Sequence, residues 1–427
     1  MMAFIIVAAL VAILMTGIPI FAGLAILGGG TLIFLKGELG PVSDIIFHDI
    51  SQYMLVTIPL FAYMAHVMIK ARIVDDLYET AYTFTRHLPG GLAIATISAC
   101  MVFAAISGSS VATALTIGAV AIPQMIRFGY PPRLAYGLVA AGGTLGILIP
   151  PSGPMVLYGV ISNTSIAGLF MAGIIPGVLL AAMFVIWSTA SCSLAGHAVR
   201  REKRASVAEM LKALRKSAWA IALPVSVLVG MYAGIFTATE AASVGAILAT
   251  LVATSIYRNV GFKDIWESAI SAAQTSAMLF MIVAGASVFA HVVTLMRVPQ
   301  QLLELLVHLD IGVTGFLVLM MVVIFILGTF LETVALILIT TPVVLPVMLQ
   351  FGINPIWYGI LLTVNLELAL ITPPVGMNLF TIKGITNAPL SEITRGAMPY
   401  VGVMILGLAI LMIWPEISLW LPTNYTH

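Results

Sequence analysis

The sequence predicts an all-α polytopic membrane protein built from two inverted repeats, each holding a re-entrant helical hairpin and a discontinuous helix. Three observations predict it. Hydrophobic residues make up 61% of the chain and charged residues only 8%, with a mean hydropathy of +1.13, so a soluble domain would lack the polar groups to clothe its surface. Pro123, Gly129, Pro132, Pro150, Pro151, Gly153, Gly173 and Pro176 recur as Pro346, Gly352, Pro355, Pro373, Pro374, Gly376, Gly396 and Pro399 at one constant interval; 373 minus 150 and 399 minus 176 are both 223. These residue types interrupt helices, and matched interruptions in two apolar halves point to a transporter's binding site.

Taken in order, residues 1–56 are expected to form N-terminal scaffold helices, with an apolar run at 3–35. No basic residue precedes Lys36, so the run lacks the charged start of a cleavable signal peptide and is expected to be retained. Residues 57–177 make the first repeat, with a hairpin at 91–126 and a broken helix at 134–160. Residues 178–279 carry connecting helices and a basic loop at 197–216, and residues 280–400 make the second repeat, with a hairpin at 311–349 and a broken helix at 355–382. Residues 401–427 hold the end of the last helix and a periplasmic tail. The amphipathic stretches 74–88 and 298–309 read as matched arms lying along the membrane interface.

Both hairpins are inferred from a polar break inside an apolar stretch long enough for two helices: Ser107-Gly108-Ser109-Ser110 in one, Glu332-Thr333 in the other. Irregular backbone at membrane depth is tolerated only beside protein or a watery cavity, so each tip implies an internal polar site. The alternative is a pair of ordinary short spans.

The densest basic run, His197-Ala198-Val199-Arg200-Arg201-Glu202-Lys203-Arg204, is cytoplasmic by the positive-inside rule. Counting crossings from it leaves only Lys36 and Arg297 outside, the N-terminus inside and the C-terminus outside. Five crossings separate equivalent points of the two copies, and an odd number makes the repeats inverted. The base of the first hairpin carries Arg86, Arg127 and Arg133, whereas the second has Asp310, Gln350 and Asn354, so one enters from the cytoplasm and the other from outside.

Intramembrane carboxylates are costly and functional by default, and three qualify: Glu240, Glu332 and Glu367. Glu240 follows Thr237-Ala238-Thr239 at a helix start, where a first-turn carboxylate is stabilised by the dipole. Glu367, beside Asn365, reads equally as a functional carboxylate or as a buried orienter of the break at Pro373. Glu332 aligns with Ser109 at the hairpin tips and is the strongest candidate. The breaks around Pro150-Pro151 and Pro373-Pro374 free carbonyls suited to a small alkali cation, while the restarting helices present N-terminal amides to an anion. No Lys or Arg falls at mid-membrane, so co-bound cations would neutralise an anionic substrate. His66 and His291 read as hydrogen-bonded core residues, and Cys100 and Cys192 as small hydrophobes.

The strings Pro150-Pro151-Ser152, Tyr158-Gly159, Ser165-Ile166, Leu169-Phe170, Pro176-Gly177, Asn365-Leu366-Glu367 and Thr372-Pro373-Pro374-Val375-Gly376-Met377-Asn378-Leu379-Phe380 resemble the large membrane subunit of tripartite ATP-independent periplasmic (TRAP) transporters, within the ion transporter superfamily. The resemblance spans essentially the whole chain. It implies a sodium-driven importer of organic acids, of the sialic acid or C4-dicarboxylate type, in which a transport domain moves like an elevator against a scaffold in the bacterial inner membrane. It further implies two partners, a separate small four-helix membrane subunit and a periplasmic substrate-binding protein.

Carried onto matching positions, the resemblance implies a first sodium site from Ser107, Ser110, Gly146, Ile149 and Ser152. A second would come from Gly328, Thr333, Ala369, Thr372 and Val375, and substrate contacts from Ser107, Ser110, Ser152 and Glu332. Glu332 would repel a carboxylate, which hints at hydroxyl- or amine-bearing acids. No cofactor beyond sodium and no nucleic-acid partner is expected. The rival transport reading is a stand-alone sodium symporter or antiporter. An intramembrane enzyme is disfavoured because the chain has no His-Glu-x-x-His helix and no histidine placed by the repeat beside Ser107–Ser110.

Overall fold

The computed structural model describes residues 9, 12–13, 16–194 and 202–425. Among these the protein is all-helical, and nine stretches are long and apolar enough to cross a membrane. The helices are α1 (Ile20–Lys36), α2 (Gly40–Ile50), α3 (Thr57–Lys70), α4 (Ile73–Thr85), α5 (Gly91–Ser107), α6 (Ser110–Arg127), α7 (Pro132–Leu148), α8 (Gly153–Ser162) and α9 (Ile166–Leu194). They continue as α10 (Val207–Tyr232), α11 (Ala238–Leu251), α12 (Phe262–Leu295), α13 (Val298–His308), α14 (Val313–Gly328), α15 (Thr333–Gln350), α16 (Pro355–Leu370), α17 (Met377–Thr386), α18 (Leu390–Ile413) and α19 (Glu416–Tyr425).

Helices α7 and α16 form the centre. Every residue of α7 from Ala135 to Leu148 and of α16 from Trp357 to Leu370 is buried, as expected of helices apolar on all sides. Each ends at its Pro-Pro pair and each pair is cis. Small residues set the closest crossings, since helices in lipid associate by close packing. The backbone carbonyl of Arg133 fills the place of a β-carbon on Gly396, and that of Gly396 the place of one on Gly137, so α7 and α18 meet backbone to backbone.

A second group of helices surrounds α12, which packs against α1, α2 and α3. Thr57 and Thr239 share a hydroxyl hydrogen bond of 3.2 Å between α3 and α11, and Tyr63 and Thr250 another of 3.0 Å. The arm α4 lies against α10, where the Lys216 ammonium stands 2.8 Å from both Asp76 and Glu79. Arg86 completes this seam with a 2.8 Å bond to Glu209.

Three local expectations are corrected. The stretch 197–216 is not all loop: residues 197–201 lie outside the described residues, and α10 begins at Val207 because Ser206 and Glu209 form a reciprocal capping box. The run 3–35 is not one helix; a turn at Thr16-Gly17, with Gly17 at φ +80°, precedes Pro19 and α1. The tail after residue 413 folds back as α19 against α9.

Candidate functional site

The tips of both hairpins and the ends of both broken helices converge on a cavity of about 260 Å³. Ser107, Ser109 and Ser110 line it from the first hairpin, Glu332 and Thr333 from the second, Pro151 and Gly153 from the first break, and Leu370 and Met377 from the second. Phe61 of α3 and Thr275 of α12 close one side. Among the described residues no Lys, Arg or His lines it, and Glu332 is the one ionisable group that does.

The first tip owes its shape to Gly108, which holds a left-handed φ of +58° against the Pro151 carbonyl; a β-carbon there would stand 2.7 Å from that oxygen. The Ser107 hydroxyl pairs with that of Thr113 at 2.9 Å, and Thr113 donates to the Ser109 carbonyl at 2.8 Å. Ser110 is buried, and its oxygen accepts a 2.8 Å bond from the Asn378 amide. Gly146 presses on the Ser109 carbonyl, so tip and break bring hydroxyl and carbonyl oxygens into one small volume. Ile149 ends α7 in an extended conformation. Ser152 is fully buried, and its hydroxyl accepts from the Met155 amide at 3.4 Å as the cap of α8. Its side chain is thus turned to its own helix, and the cavity wall there belongs to Pro151, Gly153 and Pro154.

The second tip repeats the scheme with other residues. Gly328 approaches Ala369, where an added β-carbon would come 2.7 Å from the alanine methyl. The Val375 amide donates to the Thr329 carbonyl at 3.2 Å, and the Thr372 hydroxyl donates to the Leu368 carbonyl at 2.7 Å. A neighbouring space of about 240 Å³ is lined by Gly328 through Glu332, by Val375 and Gly376, by Ile18 just before α1 and by Ile20 at its first position. Thr333 is buried and faces the main cavity instead.

Glu332 caps α15: one carboxylate oxygen accepts from the Val334 and Ala335 amides at 3.0 and 3.4 Å. A helix N-terminus favours negative charge, which explains how an acid is held at the cavity wall without a basic partner among the described residues. Glu240 also serves its own helix, in a capping box with Thr237. His291 departs from expectation, because its Nε2 is buried with no hydrogen-bond partner among the described residues.

Glu367 and Asn378 emerge from the structure with more definite positions than their sequence suggests. Glu367 is wholly buried, and its carboxyl lies near the backbone of Leu148 and Ile147 at the first break without a partner in hydrogen-bond geometry among the described residues. Asn378, in the first turn of α17, reaches across to the first hairpin.

The family model described as "Tripartite ATP-independent periplasmic transporter, DctM component" matches residues 7–417. The chain is 38% identical over 393 residues to the C4-dicarboxylate TRAP transporter large permease protein DctM of Pseudomonas aeruginosa, covering 92% of this chain and 91% of that one. It is 32% identical to the ectoine TRAP transporter large permease protein TeaC of Halomonas elongata, covering 98% of each. It is also 32% identical to the sialic acid TRAP transporter large permease protein SiaM of Vibrio cholerae, covering 87% of each. In fold it is similar to the YdaH transporter of Alcanivorax borkumensis, with a TM-score of 0.67 at 13% identity over 91% of this chain and 90% of that one. The chain belongs to the TRAP transporter family as its large permease component: a multi-pass membrane protein and a transporter subunit, not an enzyme.

Proposed function

We propose that this large permease subunit imports small organic acids driven by an inward sodium gradient, taking them from a periplasmic binding protein and working beside a small four-helix membrane subunit in the bacterial inner membrane. The observation that carries the reading is the cavity in which two hairpin tips meet two helix breaks with no basic side chain among the described residues that line it. An anion there must be neutralised by something other than Lys or Arg. Carbonyl and hydroxyl oxygens are hard ligands for a small cation, and helix starts offer amides to a carboxylate.

The first sodium is assigned to the contact of the Ser107–Ser110 tip with Gly146, Ile149 and the Ser152 turn. The second goes to the contact of Gly328 and Thr333 with Ala369, Thr372 and Val375. The last three lie 223 residues after Gly146, Ile149 and Ser152, which supports two related sites in inverted repeats. The substrate sits between the tips, against Ser107, Ser110 and Glu332, with Ser152 fixing the turn beneath it. With the cap of α15 absorbing much of its charge, Glu332 accepts from hydroxyl or amine groups of the substrate. Transport follows when the hairpin-bearing helices slide as an elevator against the group around α12, with the N-terminus cytoplasmic and the C-terminus periplasmic.

The test is uptake of radiolabelled sialic acid and C4-dicarboxylates into proteoliposomes holding this chain and its small subunit, with and without the binding protein and an inward sodium gradient. Uptake that needs both supports the reading. Sodium-driven uptake without the binding protein would make the chain a stand-alone symporter.

A further inference from the structure

Asn378 is fully buried and stands in the first turn of α17, just after the second break. Its side-chain nitrogen donates to two oxygens of the first half: the Ser110 hydroxyl at 2.8 Å and the Ala140 backbone carbonyl at 3.0 Å. The second bond fixes the orientation of the amide. A carbonyl only accepts, so turning the amide over would set two acceptors 3.0 Å apart in a buried place. Ser110 must then use a lone pair to accept from Asn378, which leaves its proton and its other lone pair for a ligand in the cavity. The remaining oxygen of Asn378 is buried with no donor among the described residues, a costly arrangement to keep for packing alone.

The contact is not reciprocated. The residue 223 positions earlier is Met155, buried and without any side-chain donor to offer Thr333, the counterpart of Ser110. One half of the chain therefore grips the tip of the other through a bond with no twin. Because α17 begins where the second break ends, a shift at that break moves Asn378 and, through it, Ser110.

We infer that Asn378 is a positioning residue: it fixes the first hairpin tip against α7 and makes occupancy of the first cation site depend on the state of the second break. The inference rests on the sodium reading proposed above. Two sites joined in this way affect each other reciprocally, so losing the link weakens sodium dependence more than substrate affinity, which also rests on Ser107 and Glu332.

The experiment uses the complete transporter in proteoliposomes, with initial uptake measured against sodium concentration for wild type, Asn378→Met and Asn378→Asp. Methionine is the residue at the equivalent place in the first repeat and lacks a donor; aspartate keeps the shape and loses the amide. The expected result is a rise of at least about fivefold in the sodium needed for half-maximal uptake, with a shallower curve and a smaller change in substrate KM at saturating sodium. Variants that do not reconstitute are read by thermal stabilisation of the purified chain in sodium against choline chloride, where the same displacement is expected. Sodium curves superimposable on wild type, in either assay, overturn the inference and leave the sodium reading intact. A wild type indifferent to sodium in uptake removes both.

Discussion

The carbonyl oxygen of Ser109 lies 2.5 Å from where a β-carbon on Gly146 would stand. Hairpin tip and helix break thus touch through backbone, at a place where even one methyl has no room. In the second half Ala369, the counterpart of Gly146, instead packs its methyl against Gly328, 2.7 Å from where a β-carbon there would stand.

Gly146→Ala is therefore expected to push the tip off the break, with an overpacking strain of about 1–3 kcal/mol. If that strain is relieved by losing the tip contact, uptake falls by tenfold or more while the protein still reaches the membrane. Uptake assays with a surface-expression control check this. Wild-type uptake from Gly146→Ala would mean the tip does not seat on the break during transport.

Glu332 can be divided into two roles by two substitutions. Glu332→Gln keeps an oxygen to cap α15, so its unfolding midpoint in detergent should stay near wild type while its KM for substrate or its sodium dependence changes. Glu332→Ala also loses the cap, at about 1 kcal/mol. If Glu332→Gln transports with unchanged affinity and sodium dependence, the carboxylate serves only its helix.

Gly396→Ala tests packing away from the cavity. Its new methyl would overlap the Arg133 carbonyl where α18 crosses α7, and a loss of about 1–3 kcal/mol is expected. A lowered melting temperature checks it, and an unchanged one would show that the crossing can open without penalty.

The arm α4 gives a contrasting expectation. Lys216 bridges Asp76 and Glu79, but its side chain is 54% exposed, so solvent screens the pair and Lys216→Met should cost less than about 1 kcal/mol. Its melting point should also become less sensitive to added salt than the wild type's.

Much of this was legible in the sequence because proline and glycine write backbone breaks directly. The capping of α11 by Glu240 could be foreseen from Thr237 three residues earlier, since that motif is local. The role of Ser152 as a buried cap could not be separated from a cavity-facing role, because both use the same hydroxyl after the same prolines. Asn378 carries no local signal: its partners Ser110 and Ala140 are more than two hundred residues away, and the residue 223 positions earlier is an apolar methionine. The turn at Thr16-Gly17 was hidden by the apolar residues on both sides, which read as one span.

The most direct test of the central claim, that the cavity binds cation and acid together, is to follow radiolabelled sodium and radiolabelled substrate simultaneously into proteoliposomes containing the complete transporter. Sodium influx through the protein is expected only when substrate is present, and substrate influx is expected to stop when choline replaces sodium. Substrate influx with no accompanying sodium would contradict that claim.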